Sequence, residues 1–264
     1  MFKKFLIIGG IIFIAIFICL IASTVKNRKN NSSFQISESA KYTSDKKQSN
    51  KSQSKSSQEI SSQDTLSPIS NKTIVVDAGH GSPDEGAVGQ NGITEATLNL
   101  QIAKKLETLL KNSSCNVIMT RSDENGIQDE DAKNIRQMKV SDLKNRVKIG
   151  NSSSADIFVS IHLNKISDSK YYGWQTFYKE GDDNSKRLAT NIQNSLNNTI
   201  SIENKRTPLK LSGIYLMKNI EIPIALVECG FLSNENESAK LITDSYQEQL
   251  AWGIYNGIVE YFSY

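Results

Sequence analysis

The sequence predicts an α/β fold, a single domain on a mostly parallel twisted sheet with helices on both faces, and three observations carry that prediction. Short apolar runs rich in β-branched residues, at Thr73–Val76, Ile157–Ile161 and Ile224–Val227, have the composition of strands covered on both faces. Between them lie stretches with apolar residues at helical spacing, which is what a crossover between parallel strands requires. Each run is closely followed by a residue that carries chemistry: His80, His162 and Glu228. Open α/β sheets place ligands at the carboxyl ends of their strands, so these three residues belong on one rim of one sheet.

Residues 1–26 read as a membrane anchor or signal segment. Phe5–Val25 holds no charge and follows Lys3 and Lys4. As a helix it would be about 31 Å long, enough to cross a bilayer. Residues 27–70 are dominated by Ser, Lys, Gln and Asn with almost no apolar periodicity. Such a stretch cannot bury enough surface to offset its ordering entropy, and reads as a flexible linker. Residues 71–264 remain for the folded domain.

Within that domain His80 sits between Gly79 and Gly81, which let the chain turn sharply after the first strand. Glu95 opens a helix through Lys111 whose apolar face is Leu98, Ile102, Leu106, Leu109 and Leu110. Cys115–Thr120 is the second strand. Arg121–Val140, polar and acidic, reads as a long loop, and Ser141 caps a short helix through Ile149. Gly173–Tyr178 alternates as a strand, and Ser185–Asn198 is a helix with Leu188, Ile192 and Leu196 inward. Ile214–Met217 reads as a short strand or turn. Glu235–Thr243 and Tyr246–Tyr264 close the chain as helices, the last with the stripe Leu250, Ile254, Ile258 and Tyr261.

The net charge of +3 is small and the basic residues are scattered, so nothing asks for a nucleic-acid partner. The three cysteines, Cys19, Cys115 and Cys229, match neither a zinc ribbon nor a C-x-x-C motif, and free thiols are expected. Cys229 beside Glu228 reads as a small buried apolar residue rather than a nucleophile. The chain holds only two histidines, and both fall on the rim. A lone His is usually structural, but two imidazoles with a carboxylate and an open fourth position make a catalytic zinc set. Glu228 ends an apolar strand, where a charge is costly to desolvate; the bland alternative for it is an ion pair with a nearby Lys or Arg.

From Thr73 to the C-terminus the chain resembles the zinc-dependent N-acetylmuramoyl-L-alanine amidases. The resemblance rests on D-x-GHG at Asp77–Gly81, on Glu95, on SIH-x-N at Ser160–Asn164 and on LVE-x-GFLSN at Leu226–Asn234, in the family's order. It implies one Zn2+ held by His80, Glu95 and His162, with Glu228 as the catalytic carboxylate. It also implies hydrolysis of the amide between N-acetylmuramic acid and L-alanine in peptidoglycan. Ser82, followed by Pro83, stands where the family usually has a second Gly; that alters a loop and not a ligand. The N-terminal segment, GWQTFY, GFLSN and YQEQLAWGIYNGIVEY are most similar to the germination-specific, spore-cortex amidases. That likeness implies an extracytoplasmic, membrane-anchored or secreted enzyme of the forespore or cortex compartment. It further implies functional partnership with a muramic acid deacetylase in muramic-lactam formation. The sequence leaves open a separate activator protein, a vegetative cell-separation role, and a catalytically silent wall-binding module, although Glu228 argues against the last.

Overall fold

The computed structural model describes residues 67–90 and 92–264, so the anchor segment and nearly all of the linker lie outside the described residues. Among the described residues no helix is long and apolar enough to cross a membrane. The elements are β1 (Thr73–Ala78), α1 (Glu95–Asn112), β2 (Asn116–Met119), α2 (Ile135–Ser152), β3 (Ile157–Asn164) and β4 (Gln175–Lys179). They continue with α3 (Asp183–Thr199), β5 (Leu209–Leu211), α4 (Tyr215–Asn219), β6 (Ile224–Phe231), α5 (Glu235–Leu241) and α6 (Asp244–Phe262).

The strands form one six-stranded sheet in the order β2-β1-β3-β6-β4-β5. β1 runs parallel to β2 and β3, β3 parallel to β6, and β5 parallel to β4; only the β4–β6 pairing is antiparallel. This is the mostly parallel sheet that the apolar runs predict. Because β2 lies on one side of β1 and β3 on the other, the strand order reverses between β1 and β3. A crevice opens at such a switch point, and His80 and His162 stand at its two sides.

Alternation along the strands divides the core into two layers. Ile74, Val76, Ala78, Ile157, Val159, Ile161, Ala225, Val227 and Cys229 point to the face covered by α1, α3 and α6, where Leu98, Ile102, Leu106, Leu188, Ile192, Leu250, Ile254 and Ile258 are fully buried. Phe158 and Asp77 point to the other face, against Gly150 and Arg146 of α2. Cys115 and Cys229 are buried and free, as expected.

Four differences from the sequence reading have physical reasons. Helix α2 starts at Ile135 and not at Ser141, because Asn134 caps it by accepting from the Gln137 N–H at 3.0 Å. The early part was unreadable as a helix because α2 buries only Ser141, Arg146 and Gly150 and shows no apolar stripe, with Ile135 and Val140 exposed. Ile214–Met217 is not a strand but the entry to the one-turn helix α4, pinned where Asn151 donates to the Asn219 carbonyl and accepts from the Glu221 N–H. Strand β5 went unread, being a short edge strand with little burial. Finally, the packed chain begins before residue 71: Ile69 is fully buried and its carbonyl accepts from the Cys115 thiol.

Candidate metal centre

His80 follows β1 by two residues, and its own backbone takes the left-handed conformation, with φ 62°, next to Gly81 at φ 139°. A bulky residue rarely adopts that conformation unless its surroundings fix it, and here they do. Arg146 donates to the carbonyls of Ala78 (2.8 Å) and His80, and Arg121 to those of Ala78 (2.8 Å) and Gly79 (3.1 Å). Asn99 adds a bond to the Gly79 carbonyl at 3.2 Å. Both guanidiniums are buried. Arg146 is neutralised by Asp77 at 2.6 Å and by Asp142 at 2.6 Å. Asp77 also accepts from Thr120 at 2.7 Å and Ser160 at 2.6 Å. Burial alone would raise the Asp77 carboxyl, but Arg146, Ser160, His162 and Thr120 together hold it below the usual carboxylate range.

Glu95 is the first residue of α1, presented toward the crevice by the Thr94 N-cap, whose side chain accepts from the Thr97 N–H. Its Oε1 lies 3.3 Å from His80 Nε2 and 3.0 Å from His162 Nδ1, and also accepts from the Leu163 N–H at 3.1 Å. Its Oε2 accepts from the Ala87 N–H at 2.9 Å. The donor atoms of His80, Glu95 and His162 all lie within 4.8 Å of one another. Asp84 accepts from His80 Nδ1 at 3.1 Å and is itself paired with Lys139 at 2.7 Å, so the ring presents Nε2 to the cluster. Burial opposes a charge on His80, yet hydrogen bonds to Asp84 and Glu95 raise its pKa to about 9. Burial likewise works against the Glu95 carboxylate, and the two imidazoles outweigh it, driving its pKa far down.

Strands β3 and β6 run past the points where the sequence places their ends, so His162 and Glu228 are paired residues on adjacent strands. Glu228 is half-buried, and its Oε2 is an enclosed oxygen without a partner among the described residues. Burial, reinforced by the Glu95 charge, pushes its pKa up to about 8. No Lys or Arg pairs with it among the described residues, which removes the ion-pair alternative. The structure therefore brings together all four residues singled out in the sequence. Two imidazoles and a carboxylate converging beside an unsatisfied, enclosed carboxyl oxygen is a donor set that fits zinc with an open position.

The supporting residues Asp84, Arg121 and Arg146, with Asn99, were not legible in the sequence as site residues. The one available signal was Asp77, a carboxylate in an otherwise apolar strand, which demands a buried cation somewhere. On the far wall, Glu237 is also buried and accepts from the N–H groups of Gly173 (2.6 Å) and Phe231 (2.7 Å). It thereby ties the start of β4 to the end of β6, while the Asn234 that ends GFLSN caps α5.

Comparison with known proteins agrees with this geometry. Residues 74–260 match the family described as Amidase_3, N-acetylmuramoyl-L-alanine amidase. The chain is 39% identical over 196 residues to the germination-specific N-acetylmuramoyl-L-alanine amidase of Bacillus subtilis (strain 168), covering 74% of this chain and 82% of that one. Among solved structures, it is similar to the CwlD amidase from Clostridioides difficile, solved in complex with the GerS lipoprotein. The identity is 45% and the TM-score 0.71, with 73% of this chain and 99% of that chain covered. It is also similar to the catalytic domain of CwlV from Bacillus (Paenibacillus) polymyxa var. colistinus, at 32% identity and TM-score 0.63, covering 73% and 98%. With most of its described length matched by the family, and the family's motifs converging on one crevice, the chain belongs to the N-acetylmuramoyl-L-alanine amidases.

Proposed function

We propose that this amidase uses one zinc ion, held by His80, Glu95 and His162, to cut the bond between N-acetylmuramic acid and L-alanine in peptidoglycan, with Glu228 moving the proton. The observation that carries the reading is the convergence of His80 Nε2 and His162 Nδ1 on Glu95 Oε1, beside the unpartnered Oε2 of Glu228. When bound, zinc supplies Lewis-acid polarisation of the scissile carbonyl and brings the pKa of a water to about 7. Asp84 keeps the His80 proton on Nδ1, and the buried arginines hold the His80 loop in its strained conformation. Glu228, with its Oε2 enclosed and a pKa near the working pH, accepts the proton of the attacking water. It then passes that proton to the L-alanine nitrogen as the C–N bond breaks, leaving a muramoyl carboxylate and a free peptide amine.

Incubation of zinc-loaded protein with purified peptidoglycan, followed by mass analysis, should release peptides that begin with L-alanine. Products cut elsewhere, in the peptide or the glycan, overturn the reading. Glu228→Gln should keep its zinc and lower turnover by about 100- to 10,000-fold, the usual contribution of a placed acid–base group. His80→Ala should lose zinc. Full activity in the first variant would remove Glu228 from the mechanism.

The likeness to the germination-specific relative supports a role in the spore cortex, upstream of a deacetylase in muramic-lactam formation. The relative solved with a lipoprotein supports an activator partner. The uncharged run Phe5–Val25 supports a membrane-anchored or secreted domain on the extracytoplasmic side. Deletion of the gene should abolish muramic lactam in spores while leaving vegetative cell separation unchanged; the opposite pattern favours a vegetative role.

A further inference from the structure

A groove of about 540 Å³ runs along the outer side of the α3–α6 contact and shares no residue with the metal centre. It is a shallow groove, open to solvent along its length. One wall is Trp252, an indole 48% exposed on a helix whose other large apolar residues are turned inward. The ring is braced from one side only. Tyr255 stacks against it with centroids 5.3 Å apart and planes 24° apart, and the Tyr255 hydroxyl is hydrogen-bonded to Ser113 at the C-terminus of α1, at 2.7 Å. Tyr255 thus covers one face of the indole, and Trp252 lines the groove. The remaining lining joins the hydrogen-bonding side chains of Asn198, Thr199 and Ser195 from α3 and Asn256 from α6 to Val259 and Glu260 of α6. Among the described residues no side-chain hydrogen bond holds Asn198 or Asn256.

We infer that this groove is a second binding site for peptidoglycan, taking the N-acetylated aminosugar backbone of a glycan strand. A pyranose ring presents an apolar C–H face that lies flat on an aromatic ring, with hydroxyl and amide groups around its rim. A braced indole bordered by carboxamides and hydroxyls matches that pattern. A protein partner would call for a broader apolar centre around the aromatic anchor, and here Val259 is the one other apolar residue of the lining among the described residues. The brace at Ser113 lies at the opposite end of α1 from Glu95, which at 1.5 Å per residue puts the groove roughly 25 Å from the metal centre. The groove therefore holds a strand away from the bond being cut, and raises the local concentration of polymer around the crevice. This rests on peptidoglycan as substrate but not on the zinc mechanism.

Calorimetric titration of the full-length chain with the N-acetylglucosamine tetramer, and sedimentation with peptide-stripped glycan, test the inference without any hydrolysis. The wild type should bind both. Trp252→Ala should weaken binding about tenfold, the order expected for one lost stacking contact. Asn256→Ala, which removes a rim amide while leaving the indole, should weaken it less. Trp252→Phe should retain most of it. Hydrolysis of a small soluble muropeptide should be unchanged in all three, while release from insoluble peptidoglycan falls for Trp252→Ala. Failure of the wild type to bind glycan, or equal binding by Trp252→Ala, overturns the inference. So does light scattering that shows the wild type dimeric and Trp252→Ala monomeric, because a second copy would then cover the face. Failure of the zinc reading would instead appear as lost hydrolysis with glycan binding intact.

Discussion

A Cβ on Gly79 would lie 2.3 Å from His162 Nε2 and 2.4 Å from its Cε1, so the imidazole rests against bare backbone. Gly79→Ala should turn that ring out of the cluster and weaken zinc binding by about 10- to 100-fold, the range for lost ligand orientation. The metal-free protein should meanwhile unfold at nearly the wild-type temperature. Unchanged zinc affinity in a chelator competition would show that this close approach does not place His162. Beneath the loop, Asp77 and Arg146 are both fully buried, and Asp77→Asn would leave the guanidinium without its main counter-charge. The expected loss is about 3–5 kcal/mol by urea denaturation. The pair also gives acid sensitivity a direction. The Asp77 pKa is lower folded than unfolded, so its stabilisation is complete above roughly pH 4 and fades as the pH falls through the folded value. Between pH 7 and pH 3 the wild type should therefore lose more stability than Asp77→Asn. Equal losses would mean that another carboxylate governs acid unfolding.

Among the elements, α2 supplies the clamp on the His80 loop, through Arg146 and through Lys139 on Asp84. Its first turn is set by Asn134, and Gln137 reaches back to the Lys133 N–H at 2.8 Å, a variant of the capping box. That N-x-x-Q pattern was present in the sequence and outweighs the missing apolar stripe. Asn134→Ala should cost about 1 kcal/mol, as other N-cap losses do. A helix starting at Ser141 would feel no such change, so an unaltered denaturation midpoint would contradict the start seen here. By contrast α1, α3 and α6 were legible almost throughout, because each buries an apolar face at 3.6-residue spacing against the sheet.

For the whole molecule, burial of Ile69 sets the boundary of the folded unit. A fragment of residues 67–264 should fold and match the full-length chain in thermal midpoint. A fragment of residues 71–264 should be less stable by about 2–5 kcal/mol, the cost of emptying a buried Ile site. Equal stability of the two fragments would make Ile69 peripheral. The sequence by itself determined the strands, the main helices and the order His80, Glu95, His162, Glu228, since β-branched runs, helical periodicity and strand-end chemistry are written in neighbouring residues. Only the tertiary structure decided which Arg, out of the many Lys and Arg in the chain, answers the buried Asp77, because the partners lie 69 residues apart. It likewise decided the antiparallel seating of β4 and the tie between Glu237 and two distant N–H groups. It alone joined Trp252 to the polar side chains of α3. A buried polar group advertises in the sequence that it needs a partner, but the identity of that partner is a property of packing.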